Sequence, residues 1–504
     1  MRLSIRDFPL IVILALVVCA AMMVPMLYAA TLRQWDIARA FFYHGAFFAI
    51  LATIFGIAMA HARWKATQQY QLAMLLLAYI VLPVLMAAPV EHLVPSITFG
   101  QAYFEMLSSM TTTGATVFDD ASAIADTLHL WRALVSWMGG FLVLVAAVAI
   151  LEPMQLGGFE IQAAFSPDTS RQRRSIGGAG GANVRLIHHV GEIAPVYVAL
   201  TAALAILLNF AGDRSLVAVC HAMAVISTSA ITPLKDFAQS DAGYIGEAVI
   251  LVFFVIVLTR KSQRLSLRRD NVGRILRDPE LRIALIAVGA ISGLLFLRHF
   301  LAALELDEQE NLAGAARALW GSVFNVLSYL STTGFDSRDW AVARDWSGLS
   351  TPGTILLGLC VMGGGIATTA GGVKLLRMYA LYKHGVREMQ RLIHPSSVGG
   401  AGMTARRIRR EGANIAWIFL MLFLTSIGVV LLLLTAMGRD FEPSLSLAIA
   451  ALTNTGPAAV LLDTGFSYAQ LDGLELIVVS AAMIVGRLEI LVFISLLNPD
   501  YWRR

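Results

Sequence analysis

The chain has 504 residues, of which 57% are hydrophobic and 14% charged, and its formal net charge is +4. Soluble domains carry about 25% charged residues, so this composition, with a mean hydropathy of +0.70, excludes a single soluble core and fits a bilayer as solvent. The three cysteines, Cys19, Cys220 and Cys360, stand far apart, which excludes both a disulfide framework and a metal-ligand spacing.

Crossing a membrane takes about 20 apolar residues. In chain order, ten runs qualify: 9–30, 40–62, 70–90, 130–152, 186–211, 243–260, 281–301, 352–383, 413–437 and 472–497. The first follows Arg2 and Arg6 but is longer than a signal-peptide core and ends in a weak cleavage site, so it reads as a retained helix. Basic residues sort to one side of the spans: Arg63 and Lys65; Arg171, Arg173, Arg174 and Arg185; the runs 260–282 and 374–410; and Arg503 and Arg504. The opposite loops carry acids such as Glu305, Asp307, Glu308 and Glu310. The positive-inside rule then places both termini in the cytoplasm. In so apolar a chain it explains the basic loops better than nucleic-acid binding does.

Four stretches between spans are neither full span nor plain loop: 97–116, 213–232, 315–336 and 442–458. Each opens with an apolar segment of about 14 residues, roughly 20 Å of helix, too short to cross. Each closes in a polar ending: Thr112-Thr113-Gly114, Ser227-Thr228-Ser229, Thr332-Thr333-Gly334 and Asn454-Thr455-Gly456. Aligned in this way, all four have Thr in second position, and the second loop has Ser229 where the others have glycine. The expected fold is all-α and integral to the membrane. It has two leading helices followed by four pseudo-repeats of helix, re-entrant pore loop and helix around one central pore. The units are 1–65 (leading helices), 66–165 (loop 112–116), 166–265 (loop 227–231), 266–400 (loop 332–336) and 401–504 (loop 454–458).

Extended backbone at membrane depth leaves carbonyls unpaired unless protein buries it or a watery cavity receives it. Four copies around an axis present rings of carbonyl oxygens that replace the water shell of a monovalent cation. The short helices aim their partly negative C-terminal ends at that path, and glycine allows the left-handed backbone that turns successive carbonyls the same way. Asp119, Asp120, Asp336 and Asp463 follow the endings and either concentrate cations at the mouth or are ordinary solvated charges.

These residues resemble the Trk/Ktr/HKT superfamily of cation transporters, and the two leading helices are most similar to its TrkH/TrkG branch. The likeness runs from about residue 40 to 497. Two further segments carry it: Met362 to Lys374, which is similar to the family's broken helix in the third repeat, and Gly486-Arg487-Leu488-Glu489-Ile490, similar to its motif in the last helix. The resemblance implies that loop 363–372, with Gly363, Gly364, Gly365, Thr368, Thr369, Gly371 and Gly372, obstructs the inner cavity and moves aside on activation. It also implies that Arg487 lies by the pore below the filter. It further implies a homodimer in the bacterial inner membrane and a cytoplasmic nucleotide-binding (TrkA-like) regulatory subunit.

Chemistry agrees with both roles. Five glycines within 363–372 each weaken a helix by about 1 kcal/mol relative to alanine, although small residues also serve close helix packing. An arginine inside an apolar span is costly and marks function by default. Glu489 is its nearest acid, but residues two apart on a helix do not share a face. Lys374 either sits at the cytoplasmic mouth or snorkels.

The expected function is K+ uptake through the four-loop filter, with K+ as the transported ion, no cofactor, membrane lipid as surroundings and no nucleic-acid partner. A sodium-permeable or weakly selective pore of the same fold is the alternative, because a residue other than glycine in left-handed geometry costs roughly 1–2 kcal/mol and Ser229 departs from the pattern. Proton or sodium coupling needs an ionisable residue at mid-membrane; Glu105 in the first short helix is the candidate, or else it is a buried structural acid. No HExxH, no GxSxG and no paired catalytic carboxylates occur, so the chain is not expected to be an enzyme.

Overall fold

The computed structural model describes residues 8–59, 68–121, 124–152, 182–258, 278–303, 312–349, 351–393 and 403–497. Among these the chain is helix and turn throughout, with no strand. The basic residues Arg63, Lys65, Arg171, Arg173, Arg174, Arg503 and Arg504 and the acids at 305–310 lie outside the described residues.

The first span is two helices in line, α1 (Leu10–Ala21) and α2 (Met23–Thr31), broken at Met22. Pro25 in the first turn of α2 has no N–H to continue the ladder back to Ala21. Then come α3 (Trp35–Met59), α4 (Gln68–Leu93), α5 (Phe99–Met110) and α6 (Asp126–Ala146), the last continued by a π-helical turn over Ala147–Leu151. A capping box fixes the start of α5: the Thr98 N–H donates to Gln101 Oε1 at 2.9 Å, and the Gln101 N–H to Thr98 Oγ1 at 3.3 Å. The second quarter is α7 (Ala182–Ala211), α8 (Ser215–Ser227) and α9 (Gly243–Val257). The third is α10 (Pro279–Ala303), α11 (Leu312–Leu330), α12 (Trp340–Ser347), α13 (Gly353–Met362) and α14 (Leu375–Ile393). The fourth is α15 (Met403–Ala436), α16 (Phe441–Thr453), α17 (Gly473–Leu488) and α18 (Ile490–Leu497).

Among the described residues, seven helical spans are long and apolar enough to cross a membrane: Leu10–Thr31, Trp35–Met59, Tyr70–Leu93, Asp126–Leu151, Leu186–Ala211, Pro279–Arg298 and Gly412–Ala436. The other three expected spans differ. Helix α9 has 15 residues. The 352–383 run splits around residues 363–374, and the 472–497 run breaks at Glu489, whose φ of 65° ends α17. Three of the four short helices have 12 or 13 residues, as expected, but α11 has 19.

The four short helices meet in one core, where Phe104 of α5, Ala224 of α8, Phe324 of α11 and Leu447 of α16 are fully buried. A second cluster joins α1, α3 and α4 to α5 and α6 through Val18, Phe41, Tyr79, Met106 and Trp131, with the Phe41 and Trp131 rings edge to face at 5.7 Å. The leading helices therefore lie beside the first quarter, away from the point where the short helices converge. Large apolar side chains face outward along the long helices, among them Phe47, Ile54, Phe210 and Leu432. Such a surface belongs against lipid.

Candidate functional site

The C-terminus of each short helix is built in the same way. Thr112, Thr228, Thr332 and Asn454 are left-handed, with φ of 54°, 57°, 57° and 53°. The next residue donates its N–H five residues back: Thr113 to Ser108 O, Ser229 to Ala224 O, Thr333 to Ser328 O and Thr455 to Ala450 O, at 2.8–3.0 Å. The left-handed residue donates three back. This is a Schellman ending with Thr or Asn where glycine is usual. A β-branched residue in that region is a genuine outlier, and such strain clusters at functional sites.

Hydroxyl pairs repeat the register. Thr111 with Thr113 (2.8 Å), Ser227 with Ser229 (3.1 Å), Ser331 with Thr333 (2.9 Å) and Thr453 with Thr455 (3.2 Å) are bonded side chain to side chain. Thr228 is thus the first-position residue of its loop and Ser229 the second. The third positions are Gly114, Ala230, Gly334 and Gly456. The alignment that put Ser229 in the glycine position is corrected by one residue, and the second-position residues are Thr113, Ser229, Thr333 and Thr455. The left-handed residue that replaces glycine is Ala230, at φ 52°, beside Gly114 at 74° and Gly334 at 87°. Gly456 instead begins a 3-10 turn, Gly456–Val460. The sequence signal for Ala230 was Ser227: a hydroxyl two before the second position occurs in all four loops, as Thr111, Ser227, Ser331 and Thr453.

The four endings close on one another. The Gly456 N–H donates to Thr113 O at 2.6 Å, and Asn454 Nδ2 to Thr113 Oγ1 at 3.0 Å, joining the fourth loop to the first. Gly114 lies against Ser229 O, where a β-carbon would collide, and the Gly334 backbone faces the Pro457 ring. Phe335 of the third quarter stacks on Phe237 of the second at 4.5 Å. At the first position the carbonyls of Thr112, Thr228, Thr332 and Asn454 accept no hydrogen bond among the described residues, although these residues are at most 1% exposed. At the second position Thr113 O is taken by Gly456 and Thr455 O by Ala458.

Residues 363–374 pack directly against these endings. Gly363 and Gly372, both left-handed, meet at the neck of the loop, and the Leu375 N–H closes it by donating to Gly364 O at 2.9 Å. Gly365 N–H donates to Leu258 O at 3.1 Å and Thr368 Oγ1 to Gly365 O at 2.7 Å. At its tip the loop touches three quarters. Gly371 N–H donates to Thr332 Oγ1 at 2.8 Å, Thr369 Oγ1 lies 3.4 Å from Ile226 O, and Gly371 packs on Thr453 O so closely that a β-carbon has no room. Arg487 Nη1 donates to Thr369 O at 2.6 Å. Glu489, at the break that ends α17, pairs with Arg377 at 2.9 Å rather than with Arg487. Lys374, at a positive φ of 82°, is buried and its Nζ donates to Ala370 O of the same loop, so it does not snorkel to the surface.

Of the acids, Asp119 accepts from Ser467 Oγ, Asp463 from the Gly465 N–H at 3.0 Å, and Asp336 from Asn325 Nδ2 at 2.7 Å and Tyr329 at 3.2 Å. Asp236 of the second quarter, not singled out from sequence, accepts the Ala238 N–H at 3.3 Å. In the loop before α8, burial opposes the charge of Asp213, yet hydrogen bonds from His221, Ser240 and the Ala242 N–H hold its carboxyl below the usual carboxylate range. Glu105 is engaged at both oxygens, by Arg132 Nε at 2.6 Å and the Val117 N–H at 2.9 Å. No cluster of His, Cys, Asp and Glu able to hold a metal occurs among the described residues.

Residues 242–500 match the family model TrkH, described as cation transport protein. The chain is 28% identical over 416 residues to the "Trk system potassium uptake protein TrkH" of Escherichia coli K12, covering 81% of this chain and 80% of that protein. It is 26% identical over 446 residues to "Trk system potassium uptake protein TrkI" of Halomonas elongata, covering 85% and 83%. The crystal structure of the potassium transporter TrkH from Vibrio parahaemolyticus superposes with a TM-score of 0.79 at 24% identity, over 99% of this chain and all of that one, so the fold is shared. With its all-helical pore fold, its apolar spans and the matching family model, the chain belongs to the TrkH family of cation transport proteins, multi-pass membrane transporters and not enzymes.

Proposed function

We propose that this chain is the pore-forming subunit of a potassium-uptake system, with K+ passing through the four loops and residues 363–372 gating the path. The observation that carries the reading is the burial, without hydrogen-bond partners among the described residues, of the first-position carbonyls on Thr112, Thr228, Thr332 and Asn454. Buried carbonyls without partners are rare, and four of them, one at the end of each short helix, form a cation site. Thr113, Gly114, Ser229, Thr333, Gly334, Thr455 and Gly456 complete the filter in this reading. The names of the curated relatives support potassium as the ion.

The four units 66–165, 166–265, 266–400 and 401–504 act as pseudo-subunits after the leading 1–65. The word "system" in the relatives' names supports further components; a second copy and a TrkA-like cytoplasmic nucleotide-binding subunit are the partners proposed. The site of action is the bacterial inner membrane, with both termini cytoplasmic. A second reading, a sodium-permeable pore of the same fold, is favoured by Ala230 in place of glycine. Coupling through Glu105 is not favoured, because Arg132 already neutralises it.

Flux into liposomes separates the readings. Rubidium uptake far above sodium uptake is expected; comparable rates defeat the potassium assignment. Rescue of a potassium-uptake-deficient bacterium at micromolar potassium is the matching test in cells.

A further inference from the structure

In the register set by the hydroxyl pairs, the residue nine before each third position is Glu105, His221, Asn325 and Leu447. The first three are buried polar side chains, each 0% exposed, and the fourth is apolar. The chemistry at this position follows what the loop backbone lacks. Glu105 Oε2 accepts the Val117 N–H at 2.9 Å, and Asn325 Oδ1 accepts the Ser337 N–H at 2.8 Å. Both donors lie three residues after the third position. In the second loop that place is held by Pro233, which has no N–H to satisfy; His221 Nε2 meets the Thr232 hydroxyl instead, at 2.9 Å. In the fourth loop the chain coils into the 3-10 turn Gly456–Val460 and Tyr468 donates to Gly456 O at 2.8 Å. No side-chain acceptor is required there, and Leu447 supplies none.

Each polar residue is itself held from behind. Arg132 Nε donates to Glu105 Oε1 at 2.6 Å, Asp213 lies 3.4 Å from His221 Nδ1, and Asn325 Nδ2 donates to Asp336 at 2.7 Å. The short helix is therefore tied to the outgoing arm of its own loop, across the bend.

We infer that Glu105, His221 and Asn325 are positioning residues that hold three of the four loops at the curvature on which ion discrimination depends. The inference rests on the reading of these loops as the selectivity element. Its logic is a buried donor matched by an acceptor where the loop leaves one orphaned, at Val117 and at Ser337, with His221 bonded to the Thr232 hydroxyl where Pro233 has no N–H.

The test uses the full-length protein in liposomes. Asn325→Leu copies the fourth quarter into the third, keeps the number and branching of side-chain heavy atoms, and strands the Ser337 N–H. The expected result is a ratio of rubidium to sodium flux lowered about threefold or more, with the melting temperature of the detergent-solubilised protein within a few degrees of wild type. Glu105→Gln, which keeps an acceptor oxygen for Val117, is expected to hold the ratio within about twofold, whereas Glu105→Leu lowers it. A folded Asn325→Leu protein with unchanged ratio overturns the inference. Should that variant not fold, hydrogen exchange in the wild type decides: slow exchange of the Val117 and Ser337 amides is expected, and exchange at the rate of open loops overturns it. Absence of saturable rubidium flux in the wild type would sink the transport reading itself, and the exchange measurement distinguishes that failure from failure of the brace.

Discussion

Arg487 donates through Nη1 to the carbonyl of Thr369 at 2.6 Å, tying the last long helix of the chain to the loop of the third quarter. Its Nε and Nη2 are buried without a hydrogen-bond partner. A buried guanidinium with so few partners is costly to hold, so the loop carbonyl and the arginine stabilise each other where they now stand.

Removing that tie is expected to free the loop. Arg487→Gln shortens the side chain and leaves Thr369 O without its donor. Unstimulated rubidium uptake into liposomes should rise several-fold, by the loss of a charge-assisted bond worth about 1.5–3 kcal/mol. Unchanged basal uptake in a folded protein would separate Arg487 from gating.

Gly371 offers a steric test of the same contact. A β-carbon there collides with Thr453 O, so Gly371→Ala cannot seat against the fourth loop without backbone movement. Lower thermal stability and higher basal flux are expected together. Gly358 in α13 has no atom within 4 Å of a built β-carbon, and Gly358→Ala is the control, expected to be neutral or to stabilise by up to about 1 kcal/mol.

Thr332 joins filter and loop through its hydroxyl, which accepts the Gly371 N–H at 2.8 Å. Thr332→Val keeps the branched shape and removes the acceptor, leaving a buried N–H at a cost of about 1–3 kcal/mol. Thermal denaturation should show that loss, with basal flux raised. A melting temperature equal to wild type would mean that the loop does not bear on Thr332.

Ala230 carries the strain that Ser229 does not. Ala230→Gly relieves a left-handed alanine and should stabilise by roughly 1 kcal/mol, with the rubidium-to-sodium ratio rising if the second loop limits discrimination. Ser229→Gly deletes the hydroxyl partner of Ser227 and should destabilise. Opposite signs for the two variants in a melting experiment would establish the register; equal signs would contradict it.

Sequence by itself determined the architecture: apolar runs longer than a bilayer is thick, short helices between them, and Thr- and Gly-rich endings leave few folds in which every backbone group is satisfied. It also marked the glycine-rich break at 363–372 and the intramembrane Arg487, because both are expensive in a plain helix. What it left undecided was the pairing of buried groups. The partnership of Glu489 with Arg377 and that of Glu105 with Arg132 depend on which donors and acceptors meet across separate segments, whereas the offset at Ala230 and the turn of Lys374 onto Ala370 O depend on local left-handed backbone. Composition and periodicity describe a residue's own helix. Only the packed structure brings a hydroxyl, a carbonyl or a carboxylate from another quarter within 3 Å, and in a buried site that contact is what sets register and role.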